Sequence, residues 1–260
     1  MICVIISIGL PLTLVAIYSL YSQVKNDHVA PIYIINLLIS DIFQFCCMIV
    51  EVAKLEGKKE DLKIEPNYQI FSCIYNIGVL ANVGFMICIA LERYLLIAWP
   101  LWYRFRRTIK SSLVVCVVVW TLPLVFLLSA YFWVESTVVI TILGVLPLVP
   151  FPLLIFFLGG TLKSLSAAIS VSSDEKRRIV GMLVLVLLIY TLLFLPTIIV
   201  FLIEKARDNT LIKLRLILVR FSPLADLILY FFIRKGAIDK LLASLCCCRM
   251  DSDDNSRSSV

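Results

Sequence analysis

Five ionisable side chains stand inside stretches that are otherwise largely apolar: Asp41, Glu92, Arg93, Arg220 and Asp226. On insertion scales a charged residue at the centre of a membrane helix costs roughly 2.5–3.5 kcal/mol, so such groups mark ion, proton, ligand or partner sites. Asp41 closes the run Asn36-Leu-Leu-Ile-Ser-Asp41, Arg93 lies between Glu92 and Tyr94, and Asp226 stands one helical turn before Tyr230. Arg220 follows Lys213 by seven residues on the same helical face, and a desolvated Arg on such a face attracts a carboxylate, phosphate or sulfate. The bland alternative for each is a satisfied polar contact between packed helices. No His/Glu metal motif, nucleophile elbow or glycine-rich phosphate loop accompanies these residues, so the chain is not expected to be an enzyme.

The elements that must position them are membrane helices. Of 260 residues, 61% are apolar and only 16% charged, and the mean hydropathy is +1.01. Soluble domains are nearer about 45–50% apolar and about 25% charged. Disorder and nucleic-acid binding are set aside on the same ground, despite a formal charge of +6. Seven apolar stretches follow one another at 2–22, 30–53, 67–98, 111–134, 138–162, 178–203 and 214–233. Each is near the roughly 20 residues a helical span requires, and none alternates like a barrel strand. The expected architecture is all-α: a seven-transmembrane bundle over 1–233, an amphipathic membrane-surface helix with a cysteine cluster over 234–248, and a disordered cytosolic tail over 249–260.

Fourteen Lys and Arg fall in the loops after spans one, three and five and in the tail, against eight in the opposite loops. The positive-inside rule then puts the N-terminus outside and the C-terminus in the cytosol. A cleaved signal peptide is not expected, because no basic segment precedes the run from Ile2. No internal repeat is visible, which counts against a transporter built from duplicated halves.

Five short motifs occur in order, one per helix: Asn36-Leu-x-x-Ser-Asp41, Glu92-Arg93-Tyr94, Trp120, Phe194-Leu195-Pro196 and Asp226-x-x-x-Tyr230. Together they resemble rhodopsin-like (class A) G-protein-coupled receptors across nearly the whole chain. The Asp-x-x-x-Tyr form is similar to the branch with nucleotide, lipid, protease-activated and proton-sensing receptors. The resemblance implies that Arg93 pairs with Glu92 at rest and meets a heterotrimeric G protein when the helices open, with Tyr230 swinging inward in support. It implies that Asp41, Asn82 and Asp226 surround an allosteric sodium ion, oxygen ligands suiting a hard cation; no other cofactor is expected. It makes Tyr190 and Phe194 an aromatic pair above Pro196, whose missing N–H permits the kink on which the sixth span pivots. By position the pocket for an extracellular small-molecule ligand would involve Tyr75, Asn76, Val79, Thr197, Ile198, Phe201, Lys213 and Arg220. A small acidic ligand is expected there; the competing reading, an internal pair between Arg220 and Glu51, is compatible with it.

Several positions depart from the pattern. Thr13 replaces the usual Asn of the first span, Leu193-Phe194 the usual Cys-Trp of the sixth, and Leu227 the usual Pro of the seventh, from which a straighter helix is expected. Gly160 stands where the fifth span usually carries Tyr. Tyr68 occupies the place of the main disulfide's cysteine, the second outer loop has no cysteine, and Cys73 has no evident partner. Cys3, Cys46, Cys47, Cys88 and Cys116 read as small apolar helix residues. With no ectodomain ahead of the first span, the sequence reads as a minimal receptor or an abbreviated product of a longer gene. The single histidine, His28, lies in the first inner loop, which disfavours outer-face histidine proton sensing, although Asp41 and Asp226 keep a pH response open.

On the cytosolic side Arg104, Phe105, Arg106 and Arg107, with Lys176-Arg177-Arg178, form a basic rim around Arg93; anchoring to anionic membrane lipid is the rival use. Cys246, Cys247 and Cys248 end the surface helix as palmitoylation candidates, a metal site being disfavoured for want of a further ligand. Serines beside acids in the tail are candidates for receptor kinases and an arrestin-type partner. The reading is a plasma-membrane receptor coupled to G proteins; its alternative is a non-signalling seven-helix partner or scaffold derived from one, with a transporter third.

Overall fold

The computed structural model describes residues 2–24, 32–57, 66–106, 108–133, 146–167, 173–202 and 217–232. Within them the chain is helical with no strand. The elements are α1 (Ile2–Val24), α2 (Ile32–Gly57), α3 (Pro66–Ala98), the short α4 (Pro100–Arg106), α5 (Ile109–Trp133), α6 (Pro150–Ala167) and α7 (Ser173–Leu202). A helical turn at 217–220 then leads into α8 (Ser222–Phe232). Apart from α4, these correspond in order to the seven expected spans. Helices α1, α2, α3, α5 and α7 are long and apolar enough to cross a membrane, and α6 and α8 are shorter apolar helices. The domain divisions after residue 233 lie outside the described residues.

Local signals explain the boundaries. Pro100 opens α4 at a position where a missing N–H goes unmissed. Thr108 caps α5, its Oγ1 accepting from the Ser111 amide at 3.2 Å, as N-terminal hydroxyls do. The fifth span differs from expectation: α6 begins at Pro150, preceded by a 3-10 turn over Leu146–Leu148. Pro147, Pro150 and Pro152 cannot all donate to a helix ladder, so regular helix starts only once two of them sit in its first turn. The seventh span is interrupted, not straight. Phe221 stands as a turn between two helical pieces, and Pro223, two residues on, cannot continue the hydrogen-bond ladder across it. Losing the proline at 227 leaves this earlier one to break the helix.

Helix α3 is the hub, packing against α2, α4, α5, α6 and α7, while α1 packs on α2 and α6 on α7. The core is filled by Leu37, Leu38, Phe45, Phe85, Met86, Ile89, Val186, Tyr190 and Leu229, each essentially inaccessible. The opposite surface is just as apolar: Val15 on α1, Val114, Leu122 and Val125 on α5, and Leu192 on α7 are exposed. Inside and outside are both apolar because the outside faces lipid, and the chain is a multi-pass membrane protein.

Without a hydrophobic force between helices in lipid, close approach and a few polar bonds join them. A Cβ added at Gly84 would lie 2.7 Å from Val119 Cγ1, and one at Gly9 would meet the Phe45 ring. Trp120 on α5 ties three helices together. Its indole N–H donates to Asn36 Oδ1 at 3.1 Å, and its ring meets Phe43 and Phe85 at centroid separations of 5.4 and 5.9 Å. Trp120→Phe keeps most of the packing and removes the bond, so a loss of about 1 kcal/mol in stability is expected. Thermal unfolding in detergent checks it, and a loss above about 3 kcal/mol would mean the indole's bulk matters more than its N–H.

Candidate functional site

Three polar side chains from three helices meet inside the bundle. Asn82 Nδ2 on α3 donates to Asp41 Oδ1 on α2 at 2.9 Å and to Asp226 Oδ2 on α8 at 2.6 Å. All three residues are at most 1% exposed. Gln44, one turn later on α2, reaches Asp41 Oδ1 with its Nε2 at 3.5 Å. Asp41 Oδ2, Asp226 Oδ1, Asn82 Oδ1 and Gln44 Oε1 are buried acceptors with no protein donor. Buried acceptors almost always have partners, and acceptor oxygens left without a donor around two acidic side chains fit a hard cation or ordered water. These residues therefore suit a sodium ion, which would supply the positive charge that two adjacent carboxylates lack.

Toward the C-terminal end of α3, Glu92 is buried and Arg93 partly so. Glu92 Oε1 accepts from the Tyr103 hydroxyl at 2.7 Å, and Tyr103 is itself buried on α4. Tyr94 turns toward α6, with ring centroids 5.8 Å from both Phe156 and Phe157. A Cβ placed on Gly160 would come within 2.5 Å of Tyr94 Cε2. The Tyr94 ring thus fills the space that a larger residue at 160 would claim.

On α7, Tyr190 and Phe194 stack at 4.7 Å with an interplanar angle of 23°, one turn apart and just before Pro196. Phe151 of α6 packs edge-on against Tyr190 at 5.0 Å. Tyr230 is buried on α8 beside Phe231. A close approach holds α8 to α7, where a Cβ on Gly181 would lie 3.1 Å from Phe232 Cζ.

Toward the C-terminal end of α2, Arg220 forms an ion pair with Glu51. Their side chains are 22% and 38% exposed, so the pair is reachable. Tyr75 of α3 brings a buried hydroxyl without a hydrogen-bond partner within electrostatic range of both charges. Asn76 and Val79 lie on the same stretch of α3, and Thr197, Ile198 and Phe201 in the last turns of α7. Lys213, His28 and Cys246, Cys247 and Cys248 lie outside the described residues. The described cysteines, Cys3, Cys46, Cys47, Cys73, Cys88 and Cys116, are free thiols.

A model of the seven-transmembrane receptors of the rhodopsin family matches residues 12–228. The chain belongs to that family. This rhodopsin-family chain is 27% identical to human G-protein coupled receptor 68 over 135 residues, 52% of this chain and 36% of the relative. It is 33% identical to mouse Mas-related G-protein coupled receptor member A4 over 106 residues, covering 39% and 32% of the two chains. Proteinase-activated receptor 1 of Xenopus laevis aligns over 286 positions at 26% identity, covering 97% of this chain and 67% of the relative. In the first two the matched region spans about a third of the relative's length.

The rhodopsin-family motifs named from sequence thus meet as two buried groups, the Asp41–Asn82–Asp226 cluster and the Tyr190–Phe194 stack, while Arg220 sits apart with Glu51. Tyr103, Gln44 and Phe151 were not singled out by sequence reasoning. No sequence signal marks Tyr103: only the structure shows that it turns inward while Phe105 of the same helix is exposed. Tyr103→Phe removes a donor to a buried acid, a bond of about 1.5–3 kcal/mol. The expected result is faster amide exchange across α4 with exchange in the outer half of α3 unchanged; equal rates in both proteins would show that the hydroxyl does not hold α4.

Proposed function

We propose that the protein is a plasma-membrane receptor that passes an extracellular signal to heterotrimeric G proteins, with its N-terminus outside and its C-terminus in the cytosol. The observation that carries the reading is the convergence of Asp41, Asn82 and Asp226 in one buried cluster. A chain with no signalling duty has no use for two carboxylates whose burial is so costly. Family membership and the excess of Lys and Arg in the loops assigned to the inside support the coupling and the orientation.

The proposed mechanism is a population shift between a closed and an open helix arrangement. A ligand with an acidic group engages Arg220 and disturbs its pair with Glu51. Helix α7 pivots at Pro196, where one backbone hydrogen bond is missing, and the Tyr190–Phe194 stack moves with it. Opening the inner end exposes Arg93 to the G protein, and Tyr230 moves in to support that state. Sodium, when bound at Asp41, Asn82 and Asp226, supplies a positive charge that favours the closed arrangement. Palmitoylation of Cys246, Cys247 and Cys248, and kinase and arrestin binding at the tail, belong to the same proposal.

The test is surface-normalised G-protein activation across a panel of small acidic metabolites. Arg220→Ala should lower the potency of an active acid by about tenfold or more, the worth of one charge-assisted bond. Unchanged potency removes Arg220 from the ligand site. Silence of the wild-type protein at good surface expression would instead favour a non-signalling partner.

A further inference from the structure

The outer ion pair holds two opposite charges, and this restricts what can open it. We propose that the ligand engaging Arg220 is a small zwitterion of α-amino-acid type, with its carboxylate on Arg220, its ammonium on Glu51, and the Tyr75 hydroxyl completing the site. The inference rests on the receptor reading above and narrows the ligand from an acid to an acid that carries its own cation.

Three observations lead there. Arg220 and Glu51 are paired yet 22% and 38% exposed, so the pair is open to a ligand. The Tyr75 hydroxyl is buried without a partner and within range of both charges; a phenol both donates and accepts, so it serves a carboxylate or an ammonium equally. The pair is also separate from the inner cluster, since Glu51 stands ten residues outward of Asp41 on α2, about 15 Å along the helix axis.

Charge balance then selects among ligands. A simple monoacid that takes Arg220 leaves Glu51 without its partner and facing a second anion, in a setting where water screens little. A simple amine on Glu51 leaves the guanidinium bare in the same way. A zwitterion exchanges one ion pair for two, and every charge keeps an opposite neighbour. The planar fork of Arg220 suits the carboxylate, and a compact ammonium needs only the single carboxylate of Glu51.

The experiment uses the full chain, purified in lipid nanodiscs, with direct binding of the twenty standard α-amino acids. Their des-amino acids and decarboxylated amines are measured in parallel; for leucine these are 4-methylpentanoate and 3-methylbutylamine. At least one amino acid should bind about tenfold or more tightly than both of its truncated analogues. Glu51→Gln should abolish that preference by lifting the monoacid to the level of the amino acid. The charge-reversed pair Glu51→Arg with Arg220→Glu should retain amino-acid binding, which separates lost recognition from a lost fold. Monoacids that bind wild type as tightly as amino acids would overturn the proposal, as would a preference unchanged in Glu51→Gln, or no amino acid binding at all. Nucleotide exchange on a heterotrimeric G protein in the same preparation distinguishes the two readings. Exchange driven by monoacids keeps the receptor reading and rejects the zwitterion, whereas amino-acid binding without exchange rejects signalling.

Discussion

Arg93→Ala is expected to abolish ligand-driven G-protein activation while the protein still reaches the cell surface. Arg93 stands toward the C-terminal end of α3, directly after buried Glu92, whose side chain holds Tyr103 of α4. In the proposed open state it is the group that donates to the G protein, and each charge-assisted hydrogen bond lost costs about 1.5–3 kcal/mol, a factor of roughly ten to a hundred. The measurement is nucleotide exchange on the G protein at matched surface density. Full exchange by Arg93→Ala would show that coupling runs through the basic rim and not through this residue.

Asn82→Leu is expected to destabilise the bundle by about 3–5 kcal/mol, because one amide serves two buried carboxylates and its loss leaves Asp226 without that donor and Asp41 with only the long contact from Gln44. For a chain of this size that lowers the unfolding midpoint by roughly 10 °C. Sodium chloride in place of choline chloride should raise the wild-type midpoint and leave that of Asn82→Leu unmoved, since binding to the folded state stabilises only where the site survives. A midpoint within about 2 °C of wild type would mean that α2, α3 and α8 are held together by their apolar contacts alone.

Much of this arrangement was legible from the chain because the membrane simplifies the problem. Span length is set by bilayer thickness, so α1, α2, α3, α5 and α7 fall within a few residues of their expected limits. Asp41, Asn82 and Asp226 were expected together from the family pattern, and the Arg220–Glu51 pair, as the rival to a ligand site, from matching positions on the two helices. What was not legible depends on packing between helices remote in sequence. The delayed start of α6 turns on which of three prolines heads the helix. The break at Phe221 comes from Pro223, which drew no attention because the missing proline at 227 did. The bond from Tyr103 to Glu92 needs the orientation of α4 on α3, which no periodicity in seven residues encodes. Gly160 read as the loss of an aromatic group, when the structure puts an aromatic ring there from another helix.

That ring has a mechanical meaning. With Tyr94 seated in the notch at Gly160 and bounded by Phe156 and Phe157, α3 and α6 are keyed together like tongue and groove. Sliding or rotating one against the other must first withdraw a bulky plate from a slot that fits it closely. In the proposed opening the two helices travel together as one strut, and α7 moves against them on its Pro196 hinge.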